Sequence, residues 1–223
     1  MSALARLARD VATVAIVLAL FMFAHVFIVE AFRIPTGSME GTLLVGDFLL
    51  VNKLLYGADI PGGGRVPAIA EPERGEVIVF VPPHEPERSY VKRVVGVPGD
   101  TIAMRGKVFY LDGRPGEEPW AVHLDRASDP FDPDMLWQRA FLAEDVPAYR
   151  PTRDNWGPLV VPPGRYFVLG DNRDDSHDSR YWGFVPADAV RGRPLMVYFS
   201  VDRRNGDGGL GTVRWGRIGE SIR

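Results

Sequence analysis

Apolar residues follow two distinct patterns along this chain, and the first is a long uncharged run. Residues 11–29 (VATVAIVLALFMFAHVFIV) contain no formal charge. A helix of that length spans roughly 28 Å at about 1.5 Å per residue, close to the ~30 Å hydrocarbon thickness of a bilayer. A cleavable signal peptide would have an apolar part of about 7–15 residues ending at small residues. This run is longer and ends in bulky residues, so we predict one retained transmembrane helix at 11–30.

Basic residues around the run set its expected orientation. Arg6 and Arg9 precede it, whereas Arg33 is the only basic residue within about 20 residues after it. Because basic loops stay on the cytoplasmic side, we expect a cytoplasmic N-terminus at 1–10 and a body on the outer face of the cytoplasmic (inner) membrane. His25 lies inside the run without a second ionisable group, which favours a bundle-facing or interfacial position over a ligand role.

The second pattern follows the anchor and is typical of β-strands. Short runs rich in β-branched and aromatic residues alternate with Gly- and Pro-containing turns. Six such runs are found, at 47–54, 75–81, 89–97, 107–111, 166–170 and 194–201. Asp112 and Gly113 form a hairpin-type turn after KVFYL, and the Gly- and Pro-rich stretch 57–74 is expected to be an exposed connection. We predict a mainly β fold with an antiparallel sheet.

The stretch 114–163 differs from the rest of the body. It contains nine prolines, and its one predicted helix is short, with Asp132 as N-cap and Pro133 at the first helical position. Three apolar residues follow in this helix region, Met135, Leu136 and Leu142. We interpret 114–163 as a Pro-rich insertion on a catalytic β domain formed by 31–113 and 164–223.

Composition and charge exclude several classes of function. The 223 residues carry a formal net charge of −3 without a basic run, so nucleic acid is not an expected partner. The absence of cysteine excludes disulfides, cysteine-ligated zinc and a thiol nucleophile. The acidic loop 170–180 fails the calcium-loop pattern, because Arg173 occupies the third position counted from Asp171, no glycine occupies the sixth, and no glutamate closes the loop. We expect no metal and no other cofactor.

Ser38 is a candidate nucleophile. It lies nine residues after the apolar run, in the turn-forming sequence IPTGSM at 34–39. A serine hydroxyl becomes nucleophilic only with the help of a base. A serine in such a place would act at the height of the membrane surface, on a substrate that lies in or on the membrane.

Two residue types could supply the base. His84 and His123 lie in Pro-rich or acidic surroundings, and His177 lies in the Asp-rich loop. Lys92 lies on a predicted strand, where alternation places it on the same face as Tyr90. Burial among apolar neighbours would lower its pKa from about 10.4 towards working pH. The alternative is a lysine that only extends from a sheet edge into solvent.

Three motifs occur in order after the predicted anchor. They are IPTGSM at 34–39 with Thr42, Leu43 and GDFLLVNK at 46–53, VKRVVGVPGD at 91–100, and GDNRDDSHDSRYWG at 170–183. Together they resemble the ordered motifs of bacterial type I signal peptidases, the leader peptidases with a serine–lysine dyad. The resemblance covers most of 32–54, 90–100 and 170–185, and none of it falls in the insertion.

The resemblance implies a role for each matching residue. Ser38 would be the nucleophile and Lys92 the general base. The Ser38 backbone N–H and the Thr36 hydroxyl would form the oxyanion hole, and Ser176 would orient the lysine amine through a hydrogen bond. Two ion pairs would brace the surrounding loop, Asp171 with Arg93 and Asp178 with Arg180.

The resemblance also implies a substrate groove. It would bind a peptide as an extended strand, with small side chains at the first and third positions before the cut. Its walls would be Phe32, Ile34, Pro35, Met39, Leu43, Tyr90 and Val91. Two positions depart from the family pattern: Thr36 stands where serine is common, and Gly41 stands where proline is usual, which predicts a less stiff turn after Ser38.

We therefore expect a membrane-anchored serine endopeptidase that cleaves N-terminal signal peptides from exported preproteins after small-x-small sites. Membrane lipid and the secretion channel would lie nearby. Four alternatives remain: a serine–histidine enzyme with His177 as base, a self-cleaving repressor with serine–lysine chemistry, a processing peptidase with one dedicated substrate, and a membrane-anchored scaffold. The repressor would need a DNA-binding module and no span, and intact Ser38, Lys92 and Ser176 argue against the scaffold.

Overall fold

The computed structural model describes residues 9–18, 29–59, 63–124, 129–203 and 211–222. Residues 9–18 form a helix, α1. Within the described ranges, no helix is long and apolar enough to cross a membrane. Much of the predicted anchor, including His25, falls on residues 19–28, which lie outside the described residues.

Twelve strands follow α1 in the described part of the chain. They are β1 Val29–Arg33, β2 Asp47–Asn52, β3 Val77–Phe80, β4 Tyr90–Gly96, β5 Thr101–Arg105, β6 Val108–Leu111, β7 Arg114–Pro115, β8 Trp156–Val160, β9 Arg165–Leu169, β10 Val185–Pro186, β11 Val190–Asp202 and β12 Thr212–Val213. The larger sheet has the order β1-β2-β11-β3-β4-β9-β10, with β12 paired to β11, and the smaller has the order β7-β6-β5-β8. All strand pairs are antiparallel, which confirms the predicted mainly antiparallel β fold.

The six predicted strands are all present, as β2, β3, β4, β6, β9 and β11. The predicted turn also forms, since Asp112 (φ 50°) and Gly113 (φ 77°) join β6 to β7. Positive φ at both central positions is the conformation that two-residue hairpin turns require. The remaining strands were not predicted, among them the end strand β1.

Strand β4 is an interior strand, and this position buries Lys92. It lies between β3 and β9, and every residue from Lys92 to Gly96 is buried. Strands covered on both faces typically lack the alternation of a half-exposed strand. Lys92 pairs with Ile78 of β3 and is only 4% exposed, so it does not extend into solvent from a sheet edge.

Strand β11 bends the larger sheet. Its first residues, Val190 and Gly192, pair with β3, and the stretch from Arg193 to Ser200 pairs with β2. Register shifts interrupt both pairings, and such bulges bend a strand and increase its twist. The bend lets residues of the end strand β1 and of the interior strand β4 line one cleft.

The smaller sheet crosses the boundary predicted between the β domain and the insertion. Strands β5 and β6 come from before residue 114, whereas β7 and β8 come from within 114–163. The predicted short helix is present as a 3₁₀ helix, Pro133–Phe141. Its predicted N-cap is confirmed, because Asp132 Oδ1 accepts a hydrogen bond of 2.9 Å from the Asp134 N–H. Met135 is fully buried in a core that includes residues of β5, β8 and β9.

Candidate active site

Ser38 lies in a tight turn shortly after β1. The Leu43 N–H donates a 2.8 Å hydrogen bond to the Met39 carbonyl and closes one helical turn. Both side chains are buried in a core that includes residues of β2 and β3, and this packing fixes the turn. We call residues 37–43 the serine turn. It presents the half-buried Ser38 to the cleft.

Lys92 reaches Ser38 from the interior of the sheet. Its Nζ donates a hydrogen bond to Ser38 Oγ, joining residues 54 positions apart. Burial lowers the pKa of Lys92 to about 8, and Arg180 acts in the same direction. The carboxylates of Asp178, Asp171 and Asp175 oppose this effect. An amine with this pKa is neutral in a substantial fraction of molecules slightly above pH 7 and can accept a proton.

Two hydrogen-bond donors stand beside the Ser38 hydroxyl. Thr36 is exposed, and its Oγ1 lies 3.5 Å from Ser38 Oγ. Within the described part of the chain, no group accepts a hydrogen bond from the Ser38 backbone N–H. Both donors belong to residues that line the cleft.

The acidic loop packs directly onto the serine turn. The Asn172 N–H donates to the Ser38 carbonyl (3.2 Å), and Asn172 Nδ2 donates to the Gly37 carbonyl (3.3 Å). A Cβ atom on Gly170 would lie 2.4 Å from the Ser38 carbonyl oxygen and 2.2 Å from Ser176 Oγ. Residue 170 must therefore be glycine for the loop to approach this closely.

Ser176 is buried close to the serine turn but is not hydrogen-bonded to Lys92. Its hydroxyl meets hydrogen-bond geometry with none of the groups that the structure describes. The Ser176 hydroxyl nevertheless lies close enough to the Asp178 carboxylate to help lower the pKa of Asp178. The orientation of the lysine amine by Ser176 thus stays a prediction.

Arg93 and Asp171 form a completely buried, bidentate ion pair. Arg93 Nε donates to Asp171 Oδ1 at 2.8 Å and Arg93 Nη2 donates to Oδ2 at 2.7 Å, and both side chains are 0% exposed. The Thr42 hydroxyl donates to Asp171 Oδ2 (2.6 Å) and accepts from Arg93 Nη2 (3.0 Å). The pair therefore joins β4, the acidic loop and the serine turn.

Asp178 and Arg180 form the second predicted pair at the start of helix α2, Ser179–Trp182. Arg180 Nε and Nη2 donate to the two Asp178 oxygens, each at 2.8 Å. Asp178 also caps α2 and accepts from the Gly170 N–H (3.1 Å). Burial alone would raise the pKa of Asp178, but the Arg180 charge and these hydrogen bonds outweigh burial and hold the pKa below its usual value.

A cleft of about 490 Å³ contains the Ser38–Lys92 pair. Six of the seven predicted groove residues line it, namely Phe32, Ile34, Pro35, Met39, Tyr90 and Val91. The structure places the seventh, Leu43, in the core with 0% exposure and away from the cleft wall. Its part in the fold is to anchor the serine turn.

Of the three histidines that the structure describes, only His177 lines the cleft. His177 is exposed and lines the cleft, and its ring stacks on Tyr181 with centroids 5.2 Å apart. Partial burial and His177 lower the pKa of His84. His123 Nδ1 lies 3.7 Å from an Asp174 oxygen. Among the described residues, no group of histidine and carboxylate side chains could hold a metal ion.

Two residues that were not predicted from the sequence, Asp47 and Arg217, fix the end of the serine turn through hydrogen bonds. Arg217 Nη2 donates to the Thr42 carbonyl (2.9 Å) and to Asp47 Oδ2 (2.7 Å). The same Asp47 oxygen accepts from the Leu44 N–H (2.8 Å). Asp47 lies within the first motif, where its buried position gives it a structural role. Arg217 lies outside all three motifs, so no local pattern points to it.

The structure explains the unusual glycine of the serine turn. Gly41 has φ +110°, which proline cannot adopt. A Cβ atom there would also lie 2.8 Å from Val122 Cγ2 and 3.2 Å from the Trp120 carbonyl oxygen. Packing against the insertion thus replaces the stiffness that a proline would give.

The same chain matches a known family over most of its length. Residues 7–199 fit the family model described as signal peptidase, peptidase S26. The chain belongs to this signal peptidase family. Family membership confirms the predicted resemblance and shows that the chain is an enzyme, a serine peptidase.

Individual relatives extend this result. Signal peptidase I of Pseudomonas aeruginosa is 40% identical, and the match covers 82% of this chain and 69% of that protein. Signal peptidase I of Aquifex aeolicus is 32% identical, and the match covers 80% of this chain and 79% of that protein. The crystal structure of a signal peptidase I from Enterococcus faecalis V583 is 30% identical and covers 56% of this chain and 98% of its own, with a TM-score of 0.38.

The buried Arg93–Asp171 pair yields a stability prediction. The Asp171→Ala substitution removes the carboxylate that faces the buried Arg93 guanidinium, and we expect the free energy of unfolding to fall by about 3–5 kcal/mol. Urea unfolding in detergent, with the slope m compared between variants, measures this change. Substituting the exposed Glu144 by alanine is the control, with an expected change within about 0.5 kcal/mol.

A double variant separates the lost interaction from the cost of leaving the Arg93 charge buried without its partner. In Arg93→Met with Asp171→Leu, no unpaired charge is left at this position, and we expect at least half of the lost stability to return. A loss below about 1 kcal/mol in Asp171→Ala would contradict the structural importance of the pair.

Proposed function

We propose that this peptidase is a membrane-anchored endopeptidase that removes N-terminal signal peptides from exported preproteins, with Ser38 as nucleophile and Lys92 as general base. One observation carries the proposal. The Lys92 amine is buried, has a lowered pKa and is hydrogen-bonded to the Ser38 hydroxyl inside a cleft. The names of the relatives, signal peptidase I, support the substrate class.

The proposed mechanism is acyl transfer in two steps. Ser38 Oγ attacks the carbonyl carbon of the scissile bond while the neutral Lys92 amine takes the hydroxyl proton. The oxyanion then accepts hydrogen bonds from the Ser38 N–H and the Thr36 hydroxyl. When the intermediate collapses, the C–N bond breaks and the Lys92 ammonium returns its proton to the leaving amine. Water, deprotonated by the same lysine, hydrolyses the Ser38 ester and releases the signal peptide.

The residues around the dyad would keep these groups in place. We propose that Ser176 orients the lysine amine after a small movement, since its buried hydroxyl has no hydrogen-bond partner among the described residues. The ion pairs Arg93–Asp171 and Asp178–Arg180 would hold the loop that carries it. His177 is the second candidate base, because it lines the same cleft.

The cleft suits an extended peptide. Among the described strands, β1 ends the larger sheet and pairs with β2 alone, so a peptide could add to its other edge as a further strand and be read by alternate side chains. Buried Ile34 and Met39 line the same cleft as Ser38, and their side chains would limit the size of the substrate side chains that fit there. We therefore propose cleavage after small-x-small sequences.

The uncharged run before β1 supports a membrane location. The predicted anchor 11–30 is corrected at its end, because Val29 and Glu30 lie in β1 and pair with β2. We propose that 11–28 anchors the enzyme once in the cytoplasmic membrane, with a cytoplasmic N-terminus and the cleft on the outer face. Ser38 follows the run by only nine residues, which places it close to membrane lipid. Preproteins leaving the secretion channel would meet it there.

Cleavage of a preprotein with an Ala-x-Ala site tests the proposed function. We expect the wild type in detergent or lipid to release the mature protein with the N-terminus that follows this site, as shown by mass spectrometry. Lys92→Ala should lower the rate by about 10²–10⁴, the usual contribution of a general base. His177→Ala should retain most of the activity. Loss of cleavage in His177→Ala but not in Lys92→Ala would assign the base to the histidine instead.

The pH dependence follows from the buried amine. A lysine base works in its neutral form, so kcat/KM should rise as pH increases through about 8 and then level off. Initial rates between mildly acidic and alkaline pH measure this profile. A flat profile, with the chemical step shown to limit the rate, would rule out a lysine that titrates in this range.

The Thr36 hydroxyl is testable by a nearly isosteric change. Thr36→Val keeps the shape but removes one oxyanion donor, so kcat should fall by about 10²–10³. Thr36→Ser keeps the hydroxyl and should retain most of the activity. An unchanged kcat in Thr36→Val would show that the oxyanion is stabilised by other groups.

A further inference from the structure

One segment of the insertion contacts the regions that carry all three sequence motifs, although it has no motif residue of its own. Residues 118–122, which we call the bracing segment, lie against the acidic loop. The Val122 N–H donates to the Asp171 carbonyl (2.7 Å), and the Arg173 N–H donates to the Val122 carbonyl (2.9 Å). These bonds form a parallel bridge between Val122 and Asn172. The bracing segment thus pairs with the acidic loop around Asn172.

A buried ion pair fixes one end of the bracing segment. Arg173 Nη1 and Nη2 donate to the two Glu118 oxygens at 2.6 and 2.7 Å, and Arg173 Nε donates to the Gly170 carbonyl (3.1 Å). The Arg173 side chain is 1% exposed and that of Glu118 is 11% exposed. Because an unpaired buried guanidinium is costly, Glu118 holds the beginning of the acidic loop at Gly170.

The ring of Trp120 covers the ion pair next to the lysine. The Arg93 guanidinium carbon lies 4.3 Å from the centre of this ring, within range of a cation–π interaction. The ring also packs on Gly75, where a Cβ atom would lie 3.3 Å from Trp120 Cη2, and the Gly75 carbonyl accepts from Arg93 Nη1 (2.6 Å). Trp120 therefore shields the pair that joins β4 to the acidic loop.

The other end of the bracing segment packs on the serine turn. Val122 packs so closely on Gly41 that a Cβ atom on Gly41 would lie 2.8 Å from Val122 Cγ2. The segment accordingly contacts the serine turn through Val122, the strand of Lys92 through Trp120, and the acidic loop through Glu118 and Val122.

We propose that the bracing segment positions the Ser38–Lys92 pair, with Glu118 and Trp120 as positioning residues that touch neither the substrate nor the reacting atoms. It would do so by holding the three motif regions in fixed relative positions and by keeping water away from the lysine. This inference deepens the proposed function and rests on it for the catalytic roles of the two residues.

Burial is the effect that keeps Lys92 available as a base. The charged groups that face the amine are Asp178, Arg180, Asp171 and Asp175, all on the acidic loop or at the start of α2, and Ser38 faces it from the serine turn. If the bracing segment loosens, the loop moves away from β4 and water reaches the amine. The pKa of Lys92 then rises towards its ordinary value, and fewer molecules hold a neutral base at a given pH.

A comparison of Glu118→Gln with Glu117→Gln in the 223-residue enzyme tests the positioning role. Glu117 is the neighbouring exposed carboxylate and is the matched control. In Glu118→Gln we expect kcat for an Ala-x-Ala preprotein to fall by about 10–100-fold, as for other small displacements of reacting groups. KM should change less than about threefold because the cleft walls are intact. The acid limb of the kcat/KM profile should move to higher pH.

A second readout needs no substrate. The chain contains three lysines, Lys53, Lys92 and Lys107, so ¹³Cε-lysine labelling gives a short NMR titration in which Lys92→Ala identifies the Lys92 signal. We expect the pKa of Lys92 to rise by about 0.5 or more in Glu118→Gln compared with the wild type and with Glu117→Gln. A second variant, Trp120→Leu, leaves no buried charge behind and should show the same shift.

These outcomes separate the two proposals. An unchanged Lys92 titration in both variants, with activity equal to that of Glu117→Gln, would overturn the positioning role. If the segment had only a structural role, the variants would have a lower unfolding temperature but the same Lys92 titration in the folded protein. That result would also overturn the proposal. If the wild type cleaves no preprotein, the proposed function fails, whereas the lysine titration still decides whether the bracing segment controls this amine.

Discussion

The burial of one amine constrains the whole site. Lys92 must be inside the protein to lose its charge, yet the loop packed against it carries carboxylates that would keep it protonated. The arrangement resolves this conflict by pairing the two deepest carboxylates with arginines. Asp171 faces Arg93 and Asp178 faces Arg180, each through two hydrogen bonds. Burial then remains the largest influence on the amine, and its pKa stays lowered.

Those ion pairs also join distant parts of the chain. Arg93 and Asp171 are 78 residues apart, and their shared partner Thr42 lies 51 residues before Arg93. Buried ion pairs contribute little net stability compared with apolar packing, but their geometry is strict. Hence their effect here is to fix the relative positions of the serine turn, β4 and the acidic loop, which is what an amine and a hydroxyl in contact require.

Local patterns in the sequence predicted much of the fold and the centre of the site. The six strands and the Asp112-Gly113 turn are short-range signals, and the predictions for them are confirmed. Strand β8 could not be predicted because Gly157 and Pro158 argue against a strand. The Glu118–Arg173 and Arg217–Thr42 contacts span 55 and 175 residues, and no local sequence pattern links the two partners of either contact. Tertiary packing alone brings these residues together.

Because Ser38 lies close to the proposed anchor in the sequence, the cleft would need to recognise only a few substrate side chains. Nine residues span at most about 32 Å when fully extended. Four of these nine residues, 30–33, lie in β1, which pairs with β2, so Ser38 is held at a set distance from the end of the run. With the anchor in the bilayer, substrate and enzyme are therefore confined to the same surface layer. For the proposed substrates, membrane-bound preproteins, such confinement would raise the effective concentration, and the proposed recognition of only a few small side chains would then be sufficient.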